Sequence, residues 1–225
     1  MQIDVLVGYI LLSSHNDFKV GIEKMMLKKG VINSTSFNLK SWIQSTYVSD
    51  KALTDDSKND EDQSYLYPLI WRISGQRVLL LSYDRKIVED FRYKLAELTG
   101  VKIEPINIAV DSFVKDTSSD PGEFVLSTVY ARVSAYGTCL KSISFYGDDI
   151  AEAKFFRDGL DFFNCHTCGI RRIKSGSEIL RISNDGSIFF RYSTASKLKE
   201  VENVLSYLKK KGYFDENANN ISREN

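Results

Sequence analysis

Apolar positions along the chain fall into two rhythms, one of alternation and one of helical spacing, separated by polar punctuation. Residues Gln2–Ser13 read as a buried strand, and Asn16 or Asp17 then caps a helix that runs to Lys29 and closes at Gly30. The segment Phe37–Val48 sets Leu39, Trp42, Ile43 and Tyr47 at helical spacing, although its Thr and Tyr content leaves a strand open. Two apolar runs, Tyr65–Ile73 and Gln76–Leu81, joined by Ser74-Gly75, read as a hairpin. Pro68 lacks an N–H, which places the first run at a sheet edge or gives it a bulge. Asp84 caps the next helix, in which Ile87, Val88, Phe91, Leu95 and Leu98 form a stripe, with Gly100 at its C-terminal cap. A strand around Val101–Val110 comes after it, interrupted by Pro105.

Beyond residue 123 the pattern sharpens. Strands Phe124–Ala135 and Thr138–Tyr146 turn at Tyr136-Gly137. Asp148 or Asp149 starts a helix to residue 163, with Ile150, Ala153, Phe156, Leu160 and Phe163 on one face. Three short strands come next, Cys168–Lys174, Glu178–Ser183 and Ser187–Tyr192, and a last helix lines up Leu198, Val201, Leu205 and Leu208 before Gly212. The polar run 115–123 is the expected boundary between residues 1–115, which carry an acidic loop at 49–64, and residues 124–214, with 215–225 as a frayed tail. These elements predict an α+β fold of two sheet-plus-helix lobes. The C-terminal lobe is expected to be a mainly antiparallel sheet with helices 149–163 and 194–211 on one face. Hairpin, helix and strand recur in both halves, and Tyr83…Ile87-x-Glu89 echoes Tyr146…Ile150-x-Glu152, so an internal duplication stays open.

Composition changes this picture little. Of 225 residues, 43% are hydrophobic and 27% charged, and 13 Phe with 12 Tyr supply enough bulk for a core without disulfide staples. Charge placement matters more. The net charge is zero, yet residues 165–214 carry ten Lys/Arg against four Asp/Glu, and Asp50–Asp62 hold six carboxylates against two lysines. Three cysteines and no signal-peptide pattern predict an intracellular chain, cytoplasmic or nuclear, without a membrane anchor.

Reactive side chains cluster only at Cys165-His166-Thr167-Cys168-Gly169. A redox pair needs its first thiol at a helix N-terminus, and here the pair is expected to follow a helix. Zinc needs four ligands, and Cys139, Cys165 and Cys168 offer three thiolates, with His166 or His15 as a fourth. Without a second pair at metal spacing, half-buried structural cysteines are the stronger expectation and zinc the weaker. Alternation groups Ser187, Phe189 and Arg191 on one strand face, Ile179 with Arg181 on another, and Tyr130 with Arg132 on a third. A sheet face bearing Arg171, Arg172, Lys174, Arg181, Phe189 and Arg191 suits single-stranded nucleic acid, by guanidinium–phosphate pairing and base stacking.

Asp148, Asp149 and Glu152 form the densest carboxylate group within an element, which is the basis for an alternative as a metal-dependent hydrolase or nuclease. Acids in a helical first turn are equally expected from the macrodipole. No phosphate-binding loop, H-E-x-x-H helix or G-x-S-x-G elbow occurs, and His15 and His166 are the only histidines. The residues therefore lean away from an enzyme. They point to a non-catalytic interaction subunit of a larger assembly, with a protein partner and contact to nucleic acid through its basic lobe. A protein-docking adaptor using the acidic loop is a third alternative.

Overall fold

The computed structural model describes residues 5–12, 15–29, 32–36, 42–54, 64–74, 77–101, 103–120, 122–134, 141–173, 177–191 and 195–215. The fold is α+β, with antiparallel sheets and helices packed on them. The chain divides into two compact units, Met1–Pro105 and Ile106–Asn225. The break falls at Pro105 rather than at 115–123, because most of that polar run is taken up by a helix, Val110–Ser119. Among the described residues, no helix is long and apolar enough to cross a membrane.

The first unit comprises β1 (Val5–Leu12), α1 (His15–Lys29), β2 (Ile32–Ser36), β3 (Ile43–Ser49), β4 (Tyr65–Ser74), β5 (Arg77–Ser82), α2 (Arg85–Thr99) and β6 (Glu104–Pro105). Its strands lie in the order β2-β3-β4-β5-β1, with β6 paired to β1. Phe18, Ile22 and Met25 of α1, with Ile87, Val88, Phe91 and Leu95 of α2, join Tyr9, Tyr47, Tyr67, Trp71 and Leu80 in one core. Helix α2 forms as its residues dictate. The Asp84 side chain accepts from the Lys86 N–H at 2.8 Å, and Gly100 takes the left-handed conformation (φ 72°) that ends the helix.

Two expectations change in this unit. The segment Phe37–Val48, set at helical spacing with a strand left open, is strand β3 from Ile43 onward, with burial alternating through Ser45, Tyr47 and Ser49 as β-branched and aromatic residues favour, and its residues 37–41 lie outside the described ones. Pro68 lies on an inner strand, since β4 sits between β3 and β5. It is tolerated because the pairing with β5 extends only to Ile70, and the Ser82 hydroxyl donates to the Pro68 carbonyl at 2.6 Å.

The second unit comprises β7 (Asn107–Ile108), α3 (Val110–Ser119), β8 (Phe124–Val133), β9 (Ser142–Tyr146), a 3₁₀ turn (Ile150–Glu152), α4 (Lys154–Gly159), a second 3₁₀ turn (Leu160–Phe162), β10 (Phe163–Arg172), β11 (Leu180–Ser183), β12 (Ser187–Arg191), α5 (Ala195–Lys210) and β13 (Phe214–Asp215). Its main sheet runs β12-β11-β10-β8-β9, every pairing antiparallel. One row across it, Ile188–Ile182–Cys168–Val129–Phe145, faces the apolar side.

On that side Phe156 of α4 meets Phe145 edge-on at 4.8 Å, and Asp111 of α3 accepts from the Cys165 N–H at 2.9 Å. Tyr207 of α5 packs against Phe124 at 5.1 Å. The single helix expected over 149–163 is instead 3₁₀ turn, α4, 3₁₀ turn and strand. The Phe163 ring lies where a Cβ on Gly159 would stand, 2.6 Å away, so Gly159 lets the chain turn out of the helix into β10. The hairpin-then-helix order recurs as β4-β5-α2 and β8-β9-α4. The strands after these two helices differ, since β6 is two residues long and β10 is ten.

Candidate functional site

The C-x-x-C pair lies inside β10, not in a loop after a helix. In a plain strand, residues three apart point to opposite faces. Here Cys165 pairs with Ala131 and Thr167 with Tyr130, so His166 is the extra residue of a bulge. The bulge turns Cys165 and Cys168 to the same, apolar face, where both are free and buried. Burial, helped by the Asp111 carboxylate, pushes the Cys165 thiol up to about 12, and burial raises Cys168 well above its ordinary value. Burial and Arg132 hold the His166 imidazole below its ordinary range. Among the described residues, no three His, Cys, Asp or Glu side chains converge as metal ligands, and Cys139, Lys174 and residues 55–63 lie outside them.

The opposite face of the same sheet is polar. The pairings set a row across five strands, Phe189–Arg181–Gly169–Thr128–Tyr146. The neighbouring row is Ser183–Thr167–Tyr130–Ser144. Arg181 is thereby stacked between two aromatic side chains, its guanidinium 5.6 Å from the Tyr130 ring centre and 5.5 Å from that of Phe189. The Tyr146 hydroxyl donates to that of Tyr130 at 2.6 Å, fixing the second aromatic. Arg181 Nε is buried without a hydrogen-bond partner among the described residues, as expected of an N–H held between ring faces.

The centre of this face is a carboxylate. Ser127 Oγ and Thr128 Oγ1 each donate to Glu178 Oε2 at 3.0 Å, and Arg181 Nη2 donates to Oε1 at 3.1 Å. Gly169 makes the arrangement feasible, since a Cβ there would stand 1.9 Å from Oε2 and 2.7 Å from Cδ. The glycine after the second cysteine therefore serves the approach of Glu178. Lys197, in the first turn of α5 and 9% exposed, donates to the Glu178 carbonyl at 2.8 Å. A cleft of about 700 Å³ opens here, lined by Glu178, Arg181, Phe189, Arg191 and Lys197 with the Ser127 and Thr128 hydroxyls.

The residues expected to form a basic face separate into three groups. Arg181, Phe189 and Arg191 come together at the cleft. Arg171 shares their side of the sheet but is drawn to Asp148, 3.4 Å away. Arg172, one residue on, points to the helix side, 5.8 Å over the Phe124 ring. Glu178, Ser127, Thr128 and Lys197 carry no mark in the sequence. Glu178 reads there as one acid diluted among basic residues, and only strand pairing joins it to hydroxyls about fifty positions earlier.

The carboxylate group at the start of the expected helix does not converge. Asp149 caps the 3₁₀ turn by accepting from the Ala151 N–H at 3.1 Å, Asp148 has its side chain 98% exposed, and Glu152 is exposed. The chain matches no known protein-family model, and a comparison with curated proteins gave no match either.

Proposed function

We propose that the protein is a non-catalytic interaction module, one subunit of a larger assembly, and that the polar sheet face of its second unit contacts single-stranded nucleic acid. The observation that carries this is the row Phe189–Arg181–Gly169–Thr128–Tyr146, with Arg181 held between Phe189 and Tyr130. Aromatic faces, a fixed guanidinium and hydroxyls on one shallow surface match what stacked bases and a phosphate backbone require. Glu178 and Asp148 neutralise part of the charge, so phosphate contact falls mainly to Arg191 and Lys197. Arg191 is exposed, and Lys197 lines the cleft beside it. A reducing, intracellular setting suits the two free thiols, and a protein partner would complete the assembly.

The test is binding of labelled single- and double-stranded oligonucleotides at two salt concentrations. Salt-sensitive binding, weakened by Phe189→Ala and Arg191→Gln, is expected, and no salt-sensitive binding would remove the nucleic-acid contact. The hydrolase alternative predicts cleavage that needs Mg²⁺ or Mn²⁺ and is lost in the Asp148→Ala, Glu152→Ala double variant. It has less support, because one carboxylate of the group caps a turn and another faces Arg171.

A further inference from the structure

Building on that nucleic-acid contact, we propose that the cleft beside Glu178 seats one nucleotide of the strand. In this arrangement the Glu178 carboxylate selects a base carrying an exocyclic amino group. At about 700 Å³ the cleft is of ligand-binding size, and its lining differs in chemistry from one part to another. Phe189 supplies a ring, Arg191 and Lys197 supply positive charge, and Glu178 supplies a fixed acceptor.

Lys197 marks the phosphate position. It is 9% exposed, yet among the described residues its close partner is a neutral carbonyl at 2.8 Å, with Glu200 at 4.0 Å. A buried ammonium with three donors and a carbonyl as its short contact gains from an anion brought alongside. Arg191, exposed on β12, adds a second cation at the same cleft.

Glu178 marks the base position. Its Oε2 accepts from Ser127 and Thr128, whereas its Oε1 has Arg181 as its short donor. A carboxylate oxygen takes two donors, so with Arg181 as its one donor among the described residues Oε1 keeps room for one more. The carboxylate repels a phosphate and orients the nucleotide with its base inward. Cytosine N4 and adenine N6 present an amino donor to such an acceptor, whereas thymine presents O4 at that position and offers only its N3–H, set between two carbonyl oxygens that the carboxylate repels.

Fluorescence anisotropy with labelled oligo(dC), oligo(dA) and oligo(dT), at pH 7.5 and two salt concentrations, tests this. The native protein should hold oligo(dC) and oligo(dA) about fivefold more tightly than oligo(dT), the worth of one hydrogen bond. Glu178→Gln should shrink that preference to within about twofold by releasing Arg181 and strengthening oligo(dT) binding. Arg191→Gln should weaken all strands alike and lower the salt slope by about one. Ser127→Ala keeps the carboxylate but loosens its orientation, so it should reduce the preference even if Glu178→Gln proves unstable. Equal binding of the three strands, or a preference untouched by both variants, would overturn base selection while leaving the nucleic-acid contact standing. Failure of every strand to bind would remove both.

Discussion

Each unit carries a carboxylate held among hydroxyls and arginines beside aromatic rings, and the two fare differently. In the first, Glu89 on α2 accepts from the Tyr9 hydroxyl at 2.7 Å and from Arg85 Nε at 2.8 Å, while Arg85 and Arg92 lie 4.9 and 5.4 Å from the Tyr9 ring centre. Tyr9 is a core residue, so this cluster ties a helix to the strand beneath it. In the second, Glu178 lies flat on the sheet over Gly169, its arginine stacked on Tyr130 and Phe189, with a cleft alongside. Similar side chains make a brace where they link a helix to a strand and a candidate binding surface where a cleft borders them.

The two units part most visibly at two glycines. A Cβ on Gly8 of β1 would stand 1.9 Å from the Leu80 carbonyl oxygen, whereas on Gly169 the obstacles are side-chain atoms, Glu178 Oε2 at 1.9 Å and Ser127 Oγ at 2.8 Å. Backbone cannot give way as a side chain can. Gly8→Ala should therefore cost about 3 kcal/mol in urea unfolding, at the upper end of overpacking losses. Gly169→Ala should cost about 1–2 kcal/mol by evicting Glu178, and Glu178→Ala should relieve it. In a double-mutant cycle the pair should be no less stable than Glu178→Ala alone. Additive losses would show that the carboxylate is not the obstacle.

A smaller effect tests the Glu89 brace by pH. The Tyr9 hydroxyl, then Arg85, holds the Glu89 carboxyl below its ordinary range. A depressed carboxyl adds stability that is complete above its unfolded value, about pH 4.3, and is lost as pH falls through the folded value. Tyr9→Phe should cost about 1 kcal/mol at neutral pH, since Glu89 is 39% exposed and its interactions are partly screened. The same variant should make stability fall less steeply on acidification below pH 4.3, measured by thermal melts across that range. Smallest of all, Ser127→Ala should cost about 0.5–1 kcal/mol, because Thr128 and Arg181 still hold Glu178.

Helix α2 was legible in full because its cap, stripe and closing glycine are local signals, and each occupies its expected place. Strand β12 was legible for the same reason, since Ile188 and Phe190 are buried and Arg191 is exposed, as alternation requires. Segment 149–163 misled because Ile150, Phe156 and Phe163 do share a core at near-helical spacing, yet they reach it from a turn, a short helix and a strand. Of the candidate site, Arg181, Phe189 and Arg191 could be read from alternation. The two arginines of β10 could not be told apart, since adjacent strand residues face opposite ways and the bulges reset which is which.

Local patterning alone specified the α+β class, the short alternating strands of the second unit and the grouping of an arginine with an aromatic residue on one strand face. Period-2 patterning and local capping require nothing beyond neighbours in the chain. That both cysteines turn to one face, and that Glu178 occupies the centre of the other, came from the pairing of strands in the fold. Bulge position and strand register depend on residues about forty to fifty positions apart, such as Gly169 with Thr128 and Glu178 with Ser127. One residue of slip would exchange the two faces, so no local pattern could have specified which carboxylate meets which arginine.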